Sequence, residues 1–134
     1  MIVLDASAAV EFLLSSPLGE RVGAKVSELG GTLHAPHLVD VEVLSAVRRL
    51  CAIGDIDARA GAEVLADLRD LPMERYPHEE LLERAWALRA SVSAGDAMYV
   101  ALAEGLGAAL VTCDGRLARS HGHGVRVELV ELVS

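Results

Sequence analysis

Aromatic side chains are scarce: Phe12, Tyr76, Trp86 and Tyr99 are the only four in 134 residues. A chain so poor in rings lacks the stacking platform that holds single-stranded nucleic acid, and its core must be aliphatic. Cysteine is almost as rare. Cys51 and Cys113 stand far apart with no CxxC pair, which excludes a disulfide framework and a zinc knot and leaves both as reduced, buried small hydrophobes. No GxGxxG and no phosphate-binding P-loop occurs. No apolar run approaches the length of a bilayer span, and Met1-Ile2-Val3-Leu4-Asp5 has neither the basic start nor the cleavage site of a secretory signal. No membrane partner is expected, and the expected location is the cytoplasm. Positive charge is short as well: twenty acidic residues face twelve basic ones, of which Lys25 is the sole lysine, for a net charge of −8. That balance excludes a protein that grips nucleic acid through a broadly basic surface.

Hydrophobic residues, by contrast, make up 52% of the chain, which excludes intrinsic disorder, and the length fits one domain spanning residues 1–134. Short apolar runs without alternation lie at 2–4, 32–35, 109–113 and 125–130, with a weaker one at 71–76. Runs of this kind read as strands of a parallel sheet covered on both faces. Helical stretches separate them: 8–14 and 17–29, broken at Pro17 and stopped by Gly30-Gly31; 36–53, closed by Gly54; 58–71, capped by Asp57; 78–92; and 97–106, ended by Gly107. The alternation predicts an α/β fold, a central and mostly parallel β-sheet flanked by α-helices.

Four carboxylates occupy unusual places in this scheme. Asp5 and Asp114 each end an apolar strand where a helix or turn begins, so two strands deliver aspartates to the edge at which open α/β sheets bind ligands. Taken singly, each is explained as a helix cap. Glu42 lies inside the apolar helix that begins after Pro36, on the face of Leu38, Ala46 and Arg49, where its charge needs an arginine or a metal ion. Asp40 points the opposite way, in the first turn, and reads as structural. Asp96 follows Ser93-Ala94-Gly95 and reads, by itself, as the N-cap of the next helix. Four acids converging on one point would repel one another unless a cation neutralised them. Oxygen donors without histidine or thiolate suit a hard ion, Mg²⁺ or Mn²⁺, rather than zinc.

Other candidates are weaker. His121 and His123 sit among glycines and read as a solvent loop. Ser7 has no histidine in an esterase motif, so a hydroxyl supporting the helix start or a neighbouring ligand is the better role. Thr112 shares a strand face with Asp114 and is placed to hydrogen bond a ligand, or else to fill the core.

Together, Val3-Leu4-Asp5-Ala6-Ser7-Ala8, the helix holding Glu42, Asp96-Ala97-Met98-Tyr99-Val100-Ala101-Leu102-Ala103-Glu104 and Leu110-Val111-Thr112-Cys113-Asp114-Gly115-Arg116-Leu117 resemble the motifs of PIN-domain nucleases, specifically VapC-type toxin ribonucleases. The resemblance covers essentially the whole chain. It implies a PIN-like fold, a Mg²⁺- or Mn²⁺-dependent endoribonuclease acting on RNA, control by a small cognate antitoxin, and a homodimer. It places the acidic ligands at Asp5, Glu42, Asp96 and Asp114. The additional acid that some members carry soon afterwards is missing, since Arg116 and Leu117 follow Asp114. Arg116 and Arg49 are candidates for contact with RNA phosphate or a partner, with surface salt bridges as the alternative. A non-catalytic PIN-like domain that binds RNA or protein is the rival expectation.

The resemblance also changes the meaning of the net charge. Residues 55–83 hold nine acids and three arginines; outside them, once the four candidate ligands are set aside, seven acids face nine bases. The acidic middle of the chain is therefore expected to lie away from the carboxylate edge.

Overall fold

The computed structural model describes residues 1–132. Strand β1 (Ile2–Leu4) leads into helices α1 (Ala6–Leu14) and α2 (Pro17–Leu29), followed by β2 (Leu33–Pro36), α3 (Leu38–Ala52), α4 (Ala58–Asp70) and β3 (Met73–Tyr76). A 3₁₀ turn (Glu79–Leu81) precedes α5 (Leu82–Ala87); α6 (Ala94–Leu106), β4 (Ala109–Thr112), α7 (Gly115–Ala118) and β5 (Val127–Leu129) complete the order. All the strand pairs are parallel, in the order β3-β2-β1-β4-β5, with Ile2 opposite both Leu33 and Ala109. The chain first winds outward from β1 through β2 to β3, then returns to the other side of β1 as β4 and β5.

The sequence pattern explains the layers. Ile2, Val3, Leu4, Leu110 and Val111 are at most 1% exposed, because β1 and β4 are covered on both faces, as their unbroken apolar runs predict. Each such side chain contributes about 1.5–3 kcal/mol when fully buried. Helix α6 crosses β1, β2 and β4 and is buried at Ala97, Tyr99, Val100, Ala101, Leu102 and Ala103. Its wide apolar surface leaves room for few polar residues. Helix α1 packs against α2, α3 and α4. Gly19 allows the tight corner between α1 and α2, since a Cβ there would lie 1.8 Å from the Glu11 carbonyl oxygen.

Three boundaries depart from the sequence expectations. Pro36 ends β2, opposite Tyr76, instead of opening α3; the helix begins at Leu38, whose N–H donates to His78 Nε2 at 3.0 Å. The expected helix over 78–92 is a 3₁₀ turn and one short helix, followed by turns in which the Leu88 carbonyl accepts from both Ser91 and Val92 N–H. Finally, α6 starts at Ala94, with Ser93 rather than Asp96 as its N-cap: the Asp96 N–H donates to Ser93 Oγ at 3.3 Å. Ser93 stands three residues before an acid, an arrangement typical of helix starts.

Candidate active site

The winding reverses between β1 and β4, so a crevice opens beyond the carboxyl ends of these two strands. Asp5 stands there immediately after β1, only 4% exposed. Its Oδ1 accepts from the Ala8 N–H at 3.0 Å and from Ser7 Oγ at 2.7 Å; its Oδ2 accepts from Thr112 Oγ1 at 2.5 Å. Thr112, fully buried at the end of β4, also accepts from the Asp114 N–H at 2.9 Å, and Ser7 Oγ accepts from the Cys113 N–H at 3.0 Å. Two hydroxyls thus tie the β1–α1 corner to the β4–α7 corner across the crevice. A carboxylate has about four lone-pair sites, and three donors leave Asp5 one free. Burial pushes the Asp5 carboxyl up to about 6, helped by the charge of Asp96 and opposed by the hydrogen bonds from Thr112, Ala8 and Ser7. The same desolvation, with the charges of Asp5 and Glu11, holds the neighbouring Cys113 thiol up to about 12.

Helix α6 brings Asp96 to this edge in its first turn. Because Ser93 takes the capping role, the Asp96 carboxylate is not spent on it. Its pKa is raised by burial and by the charge of Asp114, against the hydrogen bond from Ser93 and the charge of Arg116. Asp5 and Asp96, and Asp96 and Asp114, therefore repel one another in pairs. Of the acidic segment 55–83, α4 packs against α1 and α3, whereas the 3₁₀ turn and α5 pack against α6, the helix that carries Asp96.

Glu42, from α3, does not form the arginine pair that its burial allowed. Its Oε1 accepts from the Tyr99 hydroxyl at 2.6 Å. Tyr99 is 1% exposed, and burial together with the Glu42 carboxylate raises its pKa far above the ordinary phenol value, so it is a permanent donor. Asp5 adds to that rise, which places the phenol within the field of both acids. Asp114 caps α7, its Oδ1 accepting from the Arg116 N–H at 2.9 Å. The Arg116 guanidinium is 88% exposed with Nε 3.8 Å from that oxygen, a solvated pair. Arg49 is exposed in the last turn of α3. At 1.5 Å per residue it lies about 10 Å beyond Glu42 along the helix.

Asp5, Asp96 and Asp114 thus share one electrostatic neighbourhood, Glu42 joins it through Tyr99, and Ser7 and Thr112 hold Asp5 in place. The donor set is oxygen alone, which fits a hard divalent cation. The cage is open: among the described residues no three acids, imidazoles or thiols stand at metal-holding spacing. Sequence reasoning missed Tyr99, Ser93 and Gly95. The Ser-x-x-Asp spacing at 93–96 was a usable signal for Ser93; Tyr99 resembled core.

A parallel sheet of this order, with acids beyond its central strands, defines an open α/β domain with an acidic ligand edge. The chain belongs to the PIN domain family, whose match spans residues 2–121, and within it to the VapC ribonucleases. It is 48% identical over 130 residues to Ribonuclease VapC12 of Mycobacterium tuberculosis, covering 97% of this chain and 99% of that protein. It is 47% identical over 118 residues to Ribonuclease VapC9 of the same species, covering 88% and 89%. Among solved structures, VapBC2 from Rickettsia felis, bound to a DNA fragment from its promoter, shares the fold with a TM-score of 0.70 at 15% identity, over 98% of this chain and 100% of that one. Mycobacterium tuberculosis VapC20, described as a Sarcin-Ricin loop cleaving toxin, matches with a TM-score of 0.66 at 17% identity, over 88% and 93%. Ribonucleases of this family depend in general on divalent metal ions. Among the described residues no helix is long and apolar enough to cross a membrane.

Proposed function

We propose that this chain, acting as one domain over 1–134, is a Mg²⁺- or Mn²⁺-dependent endoribonuclease that hydrolyses RNA phosphodiester bonds at the Asp5, Glu42, Asp96 and Asp114 edge. The observation that carries this reading is geometric: Thr112 Oγ1 bonds both the Asp5 carboxylate and the Asp114 N–H at the carboxyl ends of β1 and β4, with the charge of Asp96 acting on Asp5 and that of Asp114 acting on Asp96. Acids serving structure alone are paired or solvated; buried acids set against one another await a cation. When bound, the ion supplies the charge that draws in the phosphate and renders water acidic.

The chain's own side chains then have distinct tasks. Asp5 offers the remaining lone pair of a carboxylate already fixed by three donors. Asp96 and Asp114 approach from the N-terminal turns of α6 and α7, and Glu42 from the first turns of α3. Ser7 and Thr112 hold Asp5 and the Asp114 backbone in register. Arg116, extended into solvent beside Asp114, meets an RNA phosphate. Arg49, farther along α3, suits a flanking phosphate or a protein partner. No histidine is needed, because the protein's work is geometry and charge.

The neighbours described as toxin–antitoxin assemblies support the further reading that a small antitoxin protein binds and inhibits this chain; the homodimer is what the family resemblance implies. Purified protein freed of any small co-purifying chain is expected to cut structured RNA with Mg²⁺ or Mn²⁺ and to stop on chelation. Asp96→Asn is expected to abolish cleavage with an unchanged fold. Metal-dependent cleavage by that variant would remove Asp96 from the site. A wild-type chain that binds RNA but never cuts it would mark a non-catalytic binding domain.

A further inference from the structure

Glu42 is the one member of the acidic quartet carried beyond the first turn of a helix, in the second turn of α3, and its long side chain reaches across to α6. A glutamate has three rotatable side-chain bonds, and holding it in one geometry needs an external fixture. Among the described residues the single hydrogen bond to Glu42 comes from Tyr99, at 2.6 Å to Oε1. The Tyr99 ring is locked by its own burial, at 1% exposure within the hydrophobic core. The phenol oxygen cannot follow Glu42; Glu42 must come to the phenol. The Ala6 backbone N–H also faces that oxygen, so the same hydroxyl sits against the corner from which Asp5 projects.

Gly95 lies one helical turn before Tyr99, on the same side of α6. A Cβ at this position would stand 3.1 Å from Glu42 Oε2 and 3.5 Å from Leu38 Cδ1. The glycine has no unusual backbone angle to explain it, being within a regular helix turn. What it provides is space for the second carboxylate oxygen. Between Gly95 and Tyr99 stands Asp96.

We infer that Tyr99 and Gly95 form a seat for Glu42, with Tyr99 a positioning residue that holds Oε1 while Gly95 leaves Oε2 open toward the Asp96 turn. One turn of α6 thereby contributes a carboxylate of its own and fixes the direction of another from α3. This rests on the reading of Glu42 as part of the cation-binding edge.

Tyr99→Phe removes the hydroxyl and keeps the ring; Gly95→Ala adds one methyl at the second residue of α6, with alanine the better helix former. Both are tested with Mn²⁺ alone as probe, by titration of the folded protein, together with melting temperature in chelator and steady-state cleavage. Each is expected to weaken Mn²⁺ binding about tenfold or more and to lower kcat by a similar factor, the usual cost of losing a group that orients a ligand, with KM for RNA unchanged. In Gly95→Ala the melting temperature in chelator is expected to hold or rise, which separates positioning from stability. Combining Tyr99→Phe with Glu42→Gln is expected to add nothing to Glu42→Gln alone. Wild-type Mn²⁺ affinity and kcat in Tyr99→Phe, or in Gly95→Ala should the phenylalanine variant not fold, would overturn the inference. Glu42→Gln with unaltered Mn²⁺ binding would instead overturn the assignment of Glu42 to the site.

Discussion

The two ends of α6 treat their carboxylates in opposite ways. Near its C-terminus Glu104 receives both arms of Arg84, Nε to Oε1 at 2.6 Å and Nη2 to Oε2 at 2.9 Å. An acid in the last turn is unfavourable against the helix dipole, and the arginine offsets it, holding the Glu104 pKa below its ordinary value. At the N-terminus Asp96 has the favourable end of the dipole, yet burial and Asp114 push its pKa up. The same helix shows that this sequence can neutralise an acid when stability is the only demand. Among the described residues Asp96 receives no such bidentate partner, only the charge of the solvated Arg116, as the cation-binding role proposed for it requires.

Replacing the acid breaks the contrast most severely. Asp5→Asn is expected to lower cleavage by at least about 10³-fold, the scale seen when a main source of transition-state charge stabilisation is lost. Steady-state cleavage of a defined RNA measures it. Next in size is the pH dependence of the metal-free protein. Asp5 titrates near 6 when folded against 3.8 ordinarily, so between these values the folded state holds a proton that the unfolded state has lost. Stability contributed by the protonated carboxyl is thus present below about pH 4 and falls as pH rises to about 6, by about 3 kcal/mol in total. Denaturant titration in chelator should show this fall, its absence in Asp5→Asn, and its reversal by added divalent cation. Glu104 runs the other way, since its depressed pKa contributes stability that is lost as acid protonates it.

Thr112→Val keeps the buried shape but removes the donor to Asp5 Oδ2 and the acceptor for the Asp114 N–H. A loss of about 1–3 kcal/mol is expected from stranding these groups, with a fall in Mn²⁺ affinity, both read by melting and titration. Smallest is Glu104→Gln, expected to lower the melting temperature slightly and leave kcat and Mn²⁺ binding alone. A large loss of activity there would mean that the two ends of α6 are not independent.

Much of this was legible in the sequence because it is local. The apolar runs of β1 and β4 marked strands buried on both faces, and the aspartate after each marked the crevice edge. The interrupted helix at 78–92 was not legible, because its turns depend on carbonyls claimed after Leu88. The role of Ser93 was half-legible: the Ser-x-x-Asp spacing at 93–96 marks a helix start, but aspartate and serine both cap helices, and the fold shows that Ser93 does so. Tyr99 was the largest omission. An aromatic inside an apolar helix looks like core, which it is, but its hydroxyl finds Glu42 only when α3 and α6 are laid on the same sheet 57 residues apart.

The position of β1 carries a consequence for how the molecule comes into being. It precedes the other four strands in chain order and is the middle strand of the sheet, and its second neighbour, β4, begins at Ala109. The hydroxyl ties across the crevice join residues 105 and 107 positions apart. A chain that has not yet reached β4 has Asp5 without Thr112 and without Asp114, and its central strand is paired on one side only, with β2. Contacts of such long sequence separation form late. The proposed catalytic edge is thus complete only once the chain has been made past Asp114.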